Sequence, residues 1–354
     1  MKKNQKRHNL LKTLITAILT ILLLVAIVVV FFDPFYHYHK PLPFLKAVLN
    51  DKEYQVPGTL DHFDYNAVIA GSSVSENFNN HWFDEEFECT SVKAIRSYGA
   101  TADLCYYIKR AFEHQSLDYV FWNLDPTSLS ATPKLTFEES GLPMYLYDQN
   151  PFNDIEYLFN KDVLFKRIPY QLASSFMRDY DEGESYNWYS TKTFSQDEML
   201  SHYSRSEICK EMLPSNTFDE EAKANVKLIA DIVEAHPKTQ FYIFIPPYSI
   251  VWWDATFRDG TTNAYLQAEE YALKTLVKYE NVHLFNFQEE TTIIHNLDNY
   301  MDALHFDPKI NHYMVEAMKA GETQIKDDSM VESSLQIVSD YALKAEDFVS
   351  EILN

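Results

Sequence analysis

Apolar and polar positions divide the chain into two regimes. Residues 14–32 are apolar at every position but Thr16 and Thr20, and a run of that length matches the thickness of a hydrocarbon core. Past residue 63, short apolar runs alternate with longer stretches whose apolar residues recur every three or four positions. Such alternation predicts a parallel sheet joined by helical crossovers. Strands are expected at 67–70, 91–95, 119–122, 241–245 and 282–285, the first stopped by Gly71 and the fourth by Pro246-Pro247. Helices are expected over 101–115, with Asp103 in the first turn, and over 263–278. The fold class that follows is α/β: a three-layer α/β/α sandwich around a mostly parallel five-stranded sheet, preceded by one N-terminal transmembrane helix.

The remaining segments fall between these elements. Residues 33–63 read as a stalk, punctuated by Pro34, Pro41, Pro43, Pro57 and Gly58. The domain itself is expected over 64–320. From about 127 to 215 the periodicity fades and Tyr, Phe, Asn, Ser and Asp accumulate around Trp188, which predicts an insertion over one end of the sheet. Its aromatic faces suit either a carbohydrate platform or a local core. The tail, 321–354, carries Leu335, Val338, Ala342, Ala345, Val349 and Ile352 at alternating spacings of three and four, which predicts a helix over 333–353.

Charge gives the first segment a direction. Lys2, Lys3, Lys6, Arg7 and Lys12 precede the apolar run and no acid occurs before Asp33, so the basic head, 1–13, is expected in the cytoplasm and the rest outside. A cleaved signal peptide is the competing reading. Its apolar region is usually about 7–15 residues and ends in small residues, whereas this run ends in Phe31-Phe32-Asp33-Pro34-Phe35. A retained single-pass anchor in the plasma membrane is therefore the expectation.

The whole chain of 354 residues carries a net charge of −22, which repels polyanions and excludes nucleic acid as a partner. Three cysteines form no CxxC pair, so free thiols are expected. The histidines show no HExxH spacing and the 7 glycines form no phosphate loop. No metal and no cofactor is implied.

Two short motifs carry candidate chemistry. Gly71-Ser72-Ser73 follows the first strand, which puts a serine at the carboxyl edge of the sheet, where open α/β folds bind ligands. Near the other end, Asp302 stands three residues before His305, close enough for its carboxylate to orient an imidazole acting as general base. On position alone, Ser72 and Ser75 compete with Ser73.

A strand-end Gly-x-Ser with a late Asp-x-x-His resembles the SGNH/GDSL hydrolase superfamily. That resemblance implies Ser73 as nucleophile, Asp302 as orienting acid and His305 as base, with Gly99 and Asn123 in the oxyanion positions. Ser72 stands where the usual Gly-Asp-Ser has its aspartate, and Gly-Ser-Ser behind a single-pass anchor is similar to the DltD-like, cell-envelope acyltransferase branch. The function this implies is a serine esterase or O-acyltransferase acting outside the membrane on an acylated cell-envelope glycopolymer, a polysaccharide or teichoic acid-like chain. The alternative is a non-catalytic envelope protein that uses the same fold to bind a polymer or a membrane acyltransferase partner.

Overall fold

The computed structural model describes residues 2–177, 180–321 and 323–353. Contacts group residues 1–63 with 141–182 in one unit and 64–140 with 183–354 in another.

The second unit holds the sheet. Its strands are β1 (Ala67–Gly71), β2 (Ser91–Ile95), β3 (Tyr119–Asn123), β4 (Gln240–Ile245) and β5 (Val282–Asn286). They are parallel throughout, in the order β2-β1-β3-β4-β5. All five expected strands are present, because each is a short apolar run between turn signals. Every residue of β1 and β2 is buried, as parallel strands demand. The crossovers run through helix Asn80–Phe87, helix Thr101–His114, helix Asp219–Ala235, and the pair Ile250–Arg258 and Thr262–Leu276. The chain steps outward from β1 to β2 and then returns past β1 to β3. The carboxyl ends of β1 and β3 therefore flank the point where strand order reverses, the place where such sheets open a crevice.

A lysine in the second strand explains how part of the 127–215 stretch is held. Lys93 is buried, and its ammonium donates to the carbonyls of Glu76 (2.7 Å) and Ser185 (2.5 Å) and to Asn187 Oδ1 (2.7 Å). A buried cation needs this many partners, and the ones it finds anchor the loop that carries Trp188. The stretch is divided between the units: residues 141–182 group with 1–63, and 183–215 with the sheet.

The tail is two helices, Asp328–Ala342 and Ala345–Leu353. The first starts ahead of the apolar repeat because Asp327 caps it, accepting the Met330 N–H at 2.9 Å. The break at Leu343-Lys344 keeps Val338, Ala342, Ala345 and Val349 buried on both sides of it.

In the first unit, helix Lys2–Phe32 is long and apolar enough to cross a membrane. Residues 33–63 are folded and include helix Lys52–His62, with Tyr36, Val56 and Leu60 in the interior. The short helix Ile155–Leu158, the π-helical turn Val163–Arg167 and helix Ile168–Ser175 complete this unit.

Candidate active site

Gly71 ends β1, and the chain then turns at once into a short 3-10 stretch, Ser73–Ser75. A Cβ at position 71 would lie 2.3 Å from Ser75 Oγ and 2.8 Å from Asn123 Cβ, so only glycine lets the turn press this closely against the end of β3. The turn leaves Ser73 partly exposed with Val74 and Ser75 buried beneath it. The amides of Ser73 and Val74 open the helical turn, where N–H groups have no partner within the helix.

The histidine comes from the loop between Tyr300 and Phe306, which a backbone bridge pairs across the loop. Met301 N–H donates to the His305 carbonyl at 3.0 Å. Asp302 folds back inside, with Oδ1 accepting the N–H groups of Leu304 and His305, each at 2.8 Å. The loop is tied to the end of β4, because Tyr300 Oη donates to the Pro247 carbonyl at 2.7 Å and Ser249 Oγ to the Ala303 carbonyl at 2.9 Å. Asp307 then caps helix Pro308–Ala320, whose proline occupies the first turn. From that helix Asn311 donates to the Val74 carbonyl at 3.0 Å, joining the histidine's supporting helix to the serine's turn.

The outcome is a continuous hydrogen-bonded line. Ser73 Oγ lies 2.8 Å from His305 Nε2, and His305 Nδ1 lies 2.7 Å from Asp302 Oδ2. With Nδ1–H donating to the carboxylate, Nε2 is free to accept a hydrogen bond from the serine hydroxyl. Burial works against the Asp302 charge, but the hydrogen bond and charge of His305, together with the two loop amides, outweigh it and hold the carboxyl below its usual range. Asp302 is thereby held ionised against the imidazole, an arrangement able to steady a proton taken up at Nε2. Trp188 stands edge-on to the imidazole, with ring centroids 5.2 Å apart at 88°. Of the three serines near the strand end, Ser73 is the one joined to the histidine.

A pocket of about 510 Å³ opens beside Ser73. Gly99 lines it, as do Tyr98, Asp125, Tyr248, Thr127, Ser128, Thr132 and Thr136. The two oxyanion positions are engaged elsewhere. Gly99 N–H donates to the Arg96 carbonyl at 3.1 Å in the tight turn that follows β2. The Ala100 N–H donates to Asp103 at 3.0 Å. Asn123 is fully buried, and its amide nitrogen donates to Ser75 Oγ and Asp125, both at 3.3 Å. It braces the serine turn from below.

Two groups at this site carry no sequence motif. Asp125 is buried two residues past the end of β3, where it accepts the Tyr248 hydroxyl. Burial raises its carboxyl above the usual range despite hydrogen bonds from Tyr248, Ser72 and Asn123. The one signal available for both is place: Asp125 and Tyr248 each follow a strand at the edge that carries Ser73. Comparison with protein-family models, curated proteins and solved structures finds no match to this chain.

Proposed function

We propose that the chain is a serine esterase or O-acyltransferase of the SGNH type, working outside the plasma membrane on an acylated glycopolymer of the cell envelope. The observation that carries this reading is the Ser73–His305–Asp302 line at the carboxyl edge of a parallel sheet. In this reading the sheet is the middle of a three-layer α/β/α sandwich, the resemblance to the DltD-like branch is one of kind of chemistry, and helix Lys2–Phe32 anchors the protein with its basic end in the cytoplasm.

The chemistry is a two-step acyl transfer. Ser73 Oγ attacks the ester carbonyl carbon while His305 Nε2 takes its proton. The tetrahedral intermediate expels the alcohol, which leaves with that proton, and the acyl group remains on Ser73. A water or a sugar hydroxyl, giving its proton to the same imidazole, then attacks the acyl carbon and frees the serine. The amides of Ser73 and Val74 supply the oxyanion's hydrogen bonds. Thr127 and Thr132, both exposed at the pocket, and Tyr98 at the rim suit a polyhydroxylated chain, which offers matching donors and acceptors and apolar ring faces.

The engaged state of Gly99, Ala100 and Asn123 favours a second reading, in which the pocket binds the polymer without turning it over. Labelling of the full chain with a serine-reactive fluorophosphonate, mapped by mass spectrometry, decides between the two. The enzyme reading expects a label on Ser73 that Ser73→Ala and His305→Ala abolish, and that Asp302→Asn slows on the order of 10⁴-fold. A folded full-length protein that takes no label gives the site to the binding reading.

A further inference from the structure

The chain leaves helix Lys2–Phe32 through a joint that is tied at every turn. Asp33 is fully buried, and its carboxylate accepts the N–H groups of His37 (3.0 Å), Tyr38 (2.7 Å) and His39 (3.0 Å) and the hydroxyl of Tyr157 (2.7 Å). Asp154 accepts the Tyr38 hydroxyl and pairs with His37 Nε2, both at 3.1 Å. His39 Nε2 donates to the Val30 carbonyl at 2.8 Å, satisfying an acceptor that the helix end leaves open. Asp154 and Tyr157 belong to one short segment around helix Ile155–Leu158, which is thereby fixed to the end of the long helix.

What that segment and the next turn present outward includes four large apolar side chains, with the charged Glu156, Lys161 and Lys166 exposed between them. Phe152 is 89 % exposed, Ile155 60 % and Phe165 73 %, and Phe159 is exposed beside them. Leu158 turns the other way, toward the long helix, and closes a groove of about 550 Å³ whose remaining walls are Leu23, Ala26, Ile27, Val30, Phe31 and His39. In water each large apolar side chain left exposed forgoes the free energy of burial, and clusters of them mark contact with another phase or partner.

The long helix says which. A stretch from residue 14 to 32 spans roughly 28 Å at 1.5 Å per residue, nearly the full hydrocarbon core. The groove follows that stretch from Leu23 to Phe31, about 12 Å along the axis. Any bilayer that takes up the helix therefore also meets the groove and the segment pinned beside it.

We propose that residues 152–165 form a wedge that enters the membrane leaflet nearest Phe32 together with the helix. Phe152, Ile155, Phe159 and Phe165 lie among the lipid chains, and one acyl chain fills the groove against Leu158. The occupant is lipid, and the proposal rests on the reading of helix Lys2–Phe32 as a membrane anchor. Much of the wedge's backbone is bonded within its short helical turns, as where Tyr157 and Leu158 N–H donate to the Asp154 carbonyl at 2.9 and 2.8 Å and Leu164 N–H to the Asn160 carbonyl at 3.1 Å, which limits the polar exposure that a leaflet penalises.

The test is photo-crosslinking of the full chain in phosphatidylcholine nanodiscs, with p-benzoylphenylalanine placed singly at Phe152, Phe165, Leu19 or Ile208 and adducts read by mass spectrometry. Leu19 reports the helix, and Ile208 is an exposed apolar position of the sheet-bearing unit. The wedge expects lipid adducts at Phe152 and Phe165 in yields comparable to that at Leu19, and no adduct at Ile208. Adducts at Leu19 without adducts at Phe152 and Phe165 overturn the wedge and leave the anchor standing. Equal yields at Ile208 overturn it as unspecific contact. No adduct at Leu19 removes the anchor itself, and the wedge with it.

Discussion

Glu269 faces inward from helix Thr262–Leu276, fully buried, with one oxygen accepting a 3.3 Å bond from Gln288 Nε2. Its second oxygen and the Gln288 carbonyl oxygen have no partner. A charged carboxylate in this position is penalised by burial, which raises the group from 4.5 to about 8 against the opposing pull of the Gln288 bond. Protonation suits the site, since it turns an unbonded acceptor into a donor beside an unbonded carbonyl. A folded-state pKa above the unfolded one means that folding takes up a proton between the two values. Its contribution to stability is then complete below about 4.5 and falls away as pH rises to about 8. Glu269→Gln, which keeps the shape and removes the titration, should flatten the decline of the thermal midpoint between about pH 5 and 8 and make the variant more stable than the parent at the upper end. Equal slopes for the two proteins would show that Glu269 is not the group responsible.

Helix Ile250–Arg258 and the last helix, Ala345–Leu353, meet around one arginine. Arg205 gives Nε and Nη2 to the buried Asp254 carboxylate at 2.8 and 3.0 Å, Nη1 to Ser350 Oγ at 2.9 Å, and Nη2 also to the Glu346 carbonyl at 2.9 Å. Asp254 keeps the Tyr203 hydroxyl (2.7 Å) and a longer approach from Arg258 (3.5 Å). Removing the arginine therefore strands a carboxylate only in part, and Arg205→Ala should cost about 3 kcal/mol, the lower end of what breaking a buried pair costs. Hydrogen exchange should rise first in residues 345–353, ahead of the sheet, while uniform loss of protection would mean the tail has no separate stability. The tail's apolar spacing is legible in the sequence, as are the five strands, Gly71-Ser72-Ser73 and the Asp302–His305 pair, because each is a local pattern of four to twenty residues. The association of residues 141–182 with 33–63 is not, since it rests on pairings such as Asp33 with Tyr157 that no periodicity announces. Asp125 and Tyr248 escape for the same reason: only the strand order brings them to the same edge as Ser73.

At the scale of the molecule, 52 acidic residues face 30 basic ones. Pairs such as Lys134–Glu139, Lys223–Asp219 and Lys227–Asp231 are largely exposed, and such pairs contribute about 0–1 kcal/mol each before screening. They cannot offset the repulsion of the surplus, so charge as a whole works against the folded state. On the function proposed above, it also favours a neutral glycopolymer over a phosphate-rich one as substrate, since like charges repel. The two effects of salt then oppose each other: screening weakens the few pairs and relieves the many like-charge contacts. With the Debye length falling from about 30 Å at 0.01 M to about 10 Å at 0.1 M, the relief should win. The thermal midpoint of the full chain in neutral-lipid nanodiscs should therefore rise by a few degrees over that range of sodium chloride, by about the amount that 1 kcal/mol moves a domain of this size. Neutral lipid keeps the basic head from adding a salt-sensitive term of its own. A midpoint that falls instead would mean that the ion pairs, Arg205–Asp254 foremost, outweigh the net charge.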